Sequence, residues 1–392
     1  MSSLRKKILA LLLIALVVPF APAWAGKHTG LQKSTVGAKA KKKGRGRWVV
    51  PTYANPTEGD VAERDDPRVR RAAIDALGRW NGSVVAVDAN TGRILTVVNQ
   101  KLAFDSGFQP CSTVKLAVAY AALKEGVVTQ ETMLRIGRRH SMNLTEAMAH
   151  SNNRYFEILG RQLGFEKISR YARLLGFGEL SGYQLERERP GAFPSTAPAN
   201  GGIGRMASFG EGIHVTPLQL AALVSAFANG GNLYYLQYPP RQGATAEVTP
   251  FEPRLKRKIE IADLLPAMRE GLLGAVLYGT ARYSFVPDAE ILGKTGSCSA
   301  EGAKLGWFAS YSERPQRLAL VVLLRGGSRR VMGPKAAEIA GEIYRELQAE
   351  NYFASSSSGA NSSPETLAEN GSSSGASPFA AHPARRNQCR SN

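Results

Sequence analysis

The sequence predicts an α+β fold of the α/β sandwich type, in which an antiparallel five-stranded sheet lies beside an all-helical lobe. Two β-rich apolar runs occur early in the chain and three occur late, and the stretch between them has the apolar spacing of helices. Predicted helices at the N- and C-terminal ends of the folded unit are expected to cover the sheet. The hairpin-like spacing of the runs favours antiparallel pairing.

The first part of the predicted sheet follows a capped helix. Asp66-Pro67 precedes a helix expected at 68–77, because proline suits the first helical turn. Strands are predicted at 83–88 and 93–98, since β-branched residues there flank the turn sequence Asn90-Thr91-Gly92. We expect these two strands to form a hairpin.

The middle of the chain predicts helices. The first of them is apolar on nearly all sides and should be buried, and Gly126, Gly164 and Gly176 stand where C-caps belong. The predicted helices are 113–124, 144–149, 154–163, 168–175 and 217–227. The late strands and the closing helix are predicted at 290–293, 305–311, 317–324 and 334–347.

The first 25 residues predict an export signal. Arg5-Lys6-Lys7 precedes an apolar run at 8–20, and Ala23-Trp24-Ala25 has the small-x-small form of a cleavage site. Both a cleaved signal and a retained inner-membrane anchor fit this segment. The remaining chain is therefore expected in the periplasm or cell envelope, where nucleic acid is not a partner despite the net charge of +18.

Composition separates the folded unit from its flanks. Residues 26–66 predict a basic disordered linker, and residues 67–353 predict one folded unit. The basic block at 39–47 either is simply solvated or contacts anionic lipid or wall polymers. Residues 354–392 are rich in Ser and Gly and predict a disordered tail. Three cysteines in 392 residues exclude a small disulfide scaffold.

Ser112 and Lys115 form the first of three short motifs that can carry chemistry. A serine hydroxyl needs a base within hydrogen-bond reach before it can act as a nucleophile. Positions i and i+3 of a helix share a face, and burial would favour the neutral, basic amine. The alternative is a helix cap beside a lysine that reaches solvent, and the motif alone favours that alternative.

Two further motifs lie downstream. Ser151-Asn152-Asn153 falls between predicted helices, where a hydroxyl and an amide can relay a proton and orient an amide substrate. The alternative is an N-cap. Lys294-Thr295-Gly296 follows a predicted strand, where Lys and Thr suit a carboxylate and Gly lets the backbone approach a ligand. The alternative there is an exposed strand end.

Together these motifs make the sequence resemble the transpeptidase domain of penicillin-binding proteins, over about 82–347. Their order matches the S-x-x-K, S-x-N and K-T-G signature of that family and of class A β-lactamases. The run 85–95 resembles the family's first hairpin, and 210–221 resembles the segment that leads into a helix before the K-T-G strand. Glycine is more usual in the family where Cys111 stands.

The resemblance implies a β-lactamase/transpeptidase-like fold and acyl transfer on D-Ala-D-Ala stem peptides of peptidoglycan, with β-lactams as covalent inhibitors. It implies Ser112 as nucleophile and Lys115 as base, while Ser151 and Asn153 move the proton and hold the substrate amide. Substrate carboxylate binding is implied for Lys294, Thr295 and Ser297; Lys294 is also counted among the catalytic residues, and Gly296 among the substrate-binding ones. The N–H groups of Ser112 and Ser297 would form an oxyanion hole. Neither a cofactor nor a metal is expected.

The cysteines add a further expectation. If the first and third motifs line one cleft, Cys111 and Cys298 are neighbours, and export permits a disulfide. The pair resembles the disulfide of class A carbapenem-hydrolysing β-lactamases, which favours a Cys111–Cys298 bond over two buried thiols. Cys389 is left over in the tail.

Three functions stay open. The first is a D,D-transpeptidase or carboxypeptidase, with the acceptor, amine or water, undecided. The second is a class A-like serine β-lactamase, which the cysteine pair favours and the 210–221 segment disfavours. Glu186 and Glu188 lie where such an enzyme needs a carboxylate to activate the deacylating water, but their setting does not resemble that family's loop. The third is a non-catalytic sensor of β-lactams or wall fragments.

Overall fold

The computed structural model of the protein describes residues 49–105, 107–240 and 250–354. The predicted export signal, the basic block at 39–47 and the predicted tail beyond its first residue lie outside these ranges. Every helix among the described residues is too short or too polar to cross a bilayer.

The strands and helices of the described chain have the following bounds. The strands are β1 (Gly82–Asp88), β2 (Arg93–Val98), β3 (Leu134–Arg135), β4 (Ser141–Met142), β5 (Asn232–Tyr234), β6 (Leu255–Lys258), β7 (Ile291–Ala300), β8 (Ala303–Ser312) and β9 (Leu318–Gly326). The helices are α1 (Pro67–Leu77), α2 (Gln100–Ala103), α3 (Lys115–Lys124), α4 (Leu144–Ala149), α5 (Asn153–Leu174), α6 (Gly202–Phe209), α7 (Pro217–Ala228), α8 (Leu265–Leu277) and α9 (Gly333–Ala349). Short 3-10 turns occur at Cys111–Val114, Ala262–Leu264, Arg282–Ser284 and Tyr352–Ala354.

The central sheet has the predicted five antiparallel strands, in the order β2-β1-β9-β8-β7. Side chains alternate between its two faces. Leu320 and Val322 of β9 join the core formed with α1 and α9, whereas Val321 and Leu323 join the core formed with the lobe helices. Both faces are covered, which explains why β9 is a continuous apolar run rather than an alternating one.

The predicted end of β7 is wrong. The sequence places Lys294-Thr295-Gly296 after a strand ending at Gly293, but the strand continues to Ala300. Its polar second half pairs with β8 from Lys294↔Ala309 to Ala300↔Ala303. Apart from Thr295, the residues after Gly293 are of types that do not favour strands, so pairing with β8 rather than local sequence makes them a strand.

The helical lobe is larger than predicted. The predicted helices at 154–163 and 168–175 form the single element α5, with a break at Gly164, whose φ is +76°. Helices α6 and α8 were not predicted, because both contain glycines that lower helix propensity. In α8 the glycines allow close packing, since a Cβ at Gly271 would lie 2.5 Å from the Cβ of Met148.

Described residues before the predicted boundary at Pro67 already pack against the fold. Tyr53 forms a β-bridge with Trp80, and Asp60 and Asp65 form salt bridges of 3.0 and 2.8 Å with Arg70 of α1. The carboxylates also accept hydrogen bonds from β2 and α2, among them 2.7 Å from Thr96 to Asp65. The described part of the predicted linker therefore packs against the sheet.

Candidate active site

Ser112 lies in the 3-10 turn Cys111–Val114, immediately before the buried helix α3. Cys111 has a φ of +51°, a left-handed conformation that favours glycine. This accounts for the glycine that is more usual at that position in the family. The chain must bend sharply here to enter α3, and the bend leaves Ser112 only 7% exposed.

The segment at 210–215 packs against the residues that lead into this turn. Phe108 and Val215 exchange two backbone hydrogen bonds of 2.9 Å, which hold the strand-like segment leading to Ser112. A Cβ at Gly210 would lie 2.3 Å from Cγ of Pro110, so only glycine allows this approach. The segment that most resembles the family is therefore a scaffold for the serine turn. His214 lies 3.4 Å from Glu301, at the rim.

Lys115 is the centre of the lobe side of the site. Its Nζ lies 3.1 Å from Ser112 Oγ and 3.1 Å from Ser151 Oγ. It lies 2.7 Å from both the carbonyl oxygen of Ser151 and Oδ1 of Asn153. The two shorter contacts are to oxygens that can only accept. A neutral amine satisfies both with its two N–H groups, which leaves its single lone pair to accept one serine hydroxyl proton.

Electrostatics favour this neutral form. Burial lowers the pKa of Lys115 well below its ordinary value, and the nearby charge of Lys294 lowers it further, against an opposing effect of Glu157. The side chain is fully buried and packs over the ring of Phe156. A base of this kind can accept a proton from a serine near neutral pH.

The Ser151-Asn152-Asn153 motif provides an N-cap and also places two polar side chains beside Lys115. Asn152 is the N-cap of α5, and its side chain accepts a hydrogen bond of 2.9 Å from the backbone N–H of Tyr155. Ser151 has a φ of +54°, and this turn directs both Ser151 and Asn153 toward Lys115. The capping residue therefore sets the orientation of its two polar neighbours.

Lys294 of β7 forms the sheet side of the site. It is completely buried, and burial lowers its pKa to about 7. Its Nζ donates to the carbonyl oxygen of Thr295 at 3.1 Å. The effect of Lys294 on the pKa of Lys115 means that the two amines share one electrostatic environment.

Gly296 also has a packing role, beside the ligand approach that the sequence predicts for it. A Cβ at this position would lie 2.9 Å from the carbonyl oxygen of Pro110 and 3.3 Å from Cβ of Cys111. On the other side, a Cβ at Gly333 would lie 2.9 Å from the carbonyl oxygen of Gly296. Glycine here allows β7 to pass between the serine turn and the start of α9, so it helps to position the cleft wall.

The two remaining predicted residues of β7 are tied to neighbouring elements. Thr295 is 4% exposed, and its Oγ1 lies 2.6 Å from Oγ1 of Thr280. Ser297 is exposed, and its Oγ accepts a hydrogen bond of 2.7 Å from the N–H of Gly333, the first residue of α9. The Ser297 hydroxyl only accepts in this contact, so its proton stays free to be donated. The Thr295 hydroxyl keeps either its proton or a lone pair, depending on which threonine is the donor.

The predicted disulfide is confirmed. Cys111 and Cys298 are bonded, with Cα atoms 5.5 Å apart and a sequence separation of 187. Trp307 of β8 adds a second link, because its Nε1 donates to the carbonyl oxygen of Gln109 at 3.0 Å. The segment before Ser112 is thus joined to β7, which carries Lys294, and to its neighbour β8, and the first and third motifs do line one cleft.

Among the described residues, no hydrogen bond joins Glu186 or Glu188 to this cluster. Glu188 is buried, and its two carboxylate oxygens accept hydrogen bonds of 2.7 Å from the N–H groups of Ser181 and Gly182. Glu186 is exposed. The carboxylate of Glu188 therefore stabilises its own loop.

The sheet between two helical layers and the three converging motifs define the class of the protein as one with a β-lactamase-like fold. Residues 82–345 match the family described as the penicillin binding protein transpeptidase domain. The match covers more than half of the chain, and the protein belongs to this family.

Named relatives agree with that assignment. The chain is 31% identical over 222 residues to Stage V sporulation protein D of Bacillus subtilis, covering 52% of this chain and 34% of the relative. It is 26% identical over 314 residues to the peptidoglycan D,D-transpeptidase MrdA of Acinetobacter baumannii, covering 64% of this chain and 46% of that relative. The chain thus spans less than half the length of these relatives.

Solved structures confirm the fold. The crystal structure of PBPA from Mycobacterium tuberculosis superimposes with a TM-score of 0.64 at 21% identity, covering 73% of this chain and 80% of that one. A ceftriaxone acyl-enzyme complex of penicillin-binding protein A from the same organism gives a TM-score of 0.64 at 20% identity, covering 72% of this chain and 78% of that one.

Proposed function

We propose that the protein is a penicillin-binding serine acyl-transferase, a D,D-transpeptidase or D,D-carboxypeptidase, acting on peptidoglycan stem peptides that end in D-Ala-D-Ala. One observation carries the proposal: the buried Lys115 amine lies 3.1 Å from Ser112 Oγ, with its two best acceptors already provided by carbonyl oxygens. This arrangement gives the serine a base that is neutral where ordinary lysines are charged.

The first half of the reaction follows from these contacts. Ser112 Oγ bonds to the carbonyl carbon of the terminal peptide bond while its proton passes to the Lys115 lone pair. The carbonyl electron pair moves to oxygen and returns as the C–N bond breaks. The departing D-Ala amine takes the proton, passed from Lys115 through the Ser151 hydroxyl 3.1 Å away. An ester on Ser112 and a neutral Lys115 remain.

The second half repeats these steps in reverse order with a new nucleophile. An amine of a neighbouring stem peptide gives a cross-link, and water gives a trimmed stem. Lys294, Thr295 and Ser297 would bind the substrate carboxylate, and the N–H groups of Ser112 and Ser297 would stabilise the oxyanion. Beyond Cys298 a cavity of about 430 Å³, lined in part by Arg205 and Glu211, offers space for the stem.

β-Lactams would acylate the same serine and act as inhibitors. The ceftriaxone acyl-enzyme of the related penicillin-binding protein A supports this assignment. An envelope location fits a peptidoglycan substrate, with the N-terminal segment as signal or anchor and the 39–47 block as a contact for anionic lipid or wall polymer. The exported chain would meet its substrate there without a cofactor or nucleic acid.

The β-lactamase alternative finds no support in the contacts of Glu188. Hydrolysis of the acyl-enzyme by a class A route needs a glutamate that activates water next to the ester. Glu188 uses both oxygens on backbone N–H groups of its own loop. We therefore expect nitrocefin to give a burst of one equivalent followed by little turnover; sustained hydrolysis would favour the β-lactamase.

A fluorescent penicillin tests the proposal. The wild-type protein should be labelled covalently, and Ser112→Ala should lose the label while keeping its thermal midpoint. Ser310→Ala is the matched control, because this serine is also buried, its hydroxyl bonds the Leu320 carbonyl oxygen, and it lies in β8. Persistent label on Ser112→Ala would refute the assignment. Release of D-Ala from a stem-peptide analogue separates an enzyme from a sensor.

A further inference from the structure

Thr280 links the two sides of the site. It lies between α8 and β7, and its N–H donates to the carbonyl oxygen of Ala149 at 3.1 Å, two residues before Ser151. Its Oγ1 lies 2.6 Å from Oγ1 of Thr295 and 3.5 Å from the Ala149 carbonyl oxygen. None of the three motifs includes this residue.

Close packing fixes the backbone of Thr280. A Cβ at Gly279 would lie 2.2 Å from the carbonyl oxygen of Ala149, and a Cβ at Gly274 would lie 3.1 Å from the Cβ of Ala149. The glycines therefore seat the end of α8 directly against the end of α4. A shift of Thr280 would have to move the turn that carries Ser151.

Thr295 is confined from the opposite side. A Cβ at Gly333 would lie 2.8 Å from Cβ of Thr295, so α9 begins in contact with this side chain. Thr295 is also 4% exposed and lies within the paired part of β7. With the backbone and Cβ held in this way, the Thr295 hydroxyl stays in hydrogen-bond contact with that of Thr280, and either hydroxyl can be the donor.

We infer that Thr280 is a positioning residue for carboxylate binding: it donates its proton to Thr295, which then donates its own to the substrate carboxylate. Only one proton lies between two hydroxyl oxygens 2.6 Å apart. A carboxylate only accepts, so its binding selects the arrangement in which Thr280 is the donor. Successive hydrogen bonds in such a chain strengthen one another. The inference rests on the proposed function.

Stopped-flow acylation by nitrocefin tests this role, because it separates the dissociation constant of the non-covalent complex from the maximal acylation rate. Thr280→Val should raise the dissociation constant about 3- to 10-fold, the effect of one hydrogen bond, and leave the maximal rate within about 2-fold. Thr280→Ser should restore wild-type binding. The double variant with Thr295→Val should bind as Thr295→Val does alone, because Thr280 acts through Thr295.

Other results would overturn the inference. Multiplying effects in the double variant, no rescue by serine, or a fall in the maximal rate with unchanged binding would each assign Thr280 a different role. Thr96→Val is the matched control, since this buried threonine also donates a 2.7 Å hydrogen bond but lies on β2, at the opposite edge of the sheet. Thr280→Ala replaces the valine variant if valine prevents folding.

The failure of the inference can be told apart from failure of the proposed function. If nitrocefin acylates the wild type and Thr280→Val binds it equally well, only the inference is wrong. If nitrocefin does not acylate the wild type, both are wrong.

Discussion

The two lysines of the cleft, one on the lobe side and one on the sheet side, differ in their hydrogen-bond partners. Both are fully buried. Lys115 has four oxygens within hydrogen-bond distance, all from the lobe side, whereas within the described ranges Lys294 has the Thr295 carbonyl oxygen alone. The lobe side is therefore assembled before a substrate binds. The sheet side keeps the donor capacity of its lysine for a ligand.

This difference indicates which of the two lysines is charged when a substrate is bound. Burial lowers the pKa of both lysines, and the charge of Lys294 lowers that of Lys115 further. A bound carboxylate would favour the charged form of Lys294. That charge would in turn keep Lys115 neutral, so substrate binding on the sheet side supports the base on the lobe side.

Removing the amine from the lobe side should have the largest effect. Lys115→Met keeps the length of the side chain but provides no base, so acylation by a fluorescent penicillin should slow about 100- to 10,000-fold. Lys124→Met, at the exposed end of the same helix, is the control and should react normally. Near-normal labelling of Lys115→Met would show that another group takes the proton.

Breaking the covalent link between the two sides should have the next largest effect. Replacing Cys111 and Cys298 together by alanine should lower the free energy of unfolding by about 2–4 kcal/mol, because the disulfide closes a long loop. Acylation should also slow, since the serine turn loses its tie to β7. Urea unfolding measures the first effect. Cys389→Ser is the control, and a loss of equal size there would contradict the assignment.

Disturbing the support behind the serine turn should have a smaller effect. Gly210→Ala and Gly302→Ala both place alanine at a φ of +69°, which costs about 1–2 kcal/mol. Only at Gly210 does the new Cβ collide with Pro110, while nothing lies within 4 Å at Gly302. Both variants should be less stable, but only Gly210→Ala should also acylate more slowly. Equal acylation rates would remove the scaffold role.

Removing the charge from the sheet side should change stability with pH. Because the pKa of Lys294 is lowered to about 7 on folding, the unfolded chain binds more protons above pH 7, and stability should rise between about pH 7 and 9. Lys294→Met should weaken this rise. At pH 6 it should also raise the thermal midpoint, by about 2–4 °C for each kcal/mol that the charged, buried amine costs the folded state. Exposed Lys258→Met is the control, and an unchanged pH slope in Lys294→Met would contradict the lowered pKa.

Local sequence was enough for the elements that bury apolar residues. Strands β1 and β9 and helix α7 contain uninterrupted apolar or β-branched runs, and their predicted bounds agree with the structure within two residues. The polar half of β7 could not be found in this way, because its strand conformation depends on pairing with β8. Helix α8 was missed because its glycines reflect contact with α4 rather than a turn.

The candidate site divides in the same manner. Ser112 and Lys115 could be paired from helical spacing, and the three motifs together pointed to one cleft. The role of Gly296, which admits β7 beside Pro110, and the contact between Thr280 and Thr295 depend on segments far apart in sequence. No spacing rule reports such contacts, and a single threonine outside a motif carries no signal of its own.

The pH dependence of acylation, with the adduct mapped by mass spectrometry, tests the central claim most directly. We predict a penicilloyl group on the peptide that contains Ser112. The acylation rate should rise with pH through a pKa well below the ordinary lysine value of 10.5 and then level off, because Lys115 must be neutral to accept the proton. An adduct on another residue, or a rise centred near 10.5, would contradict the account.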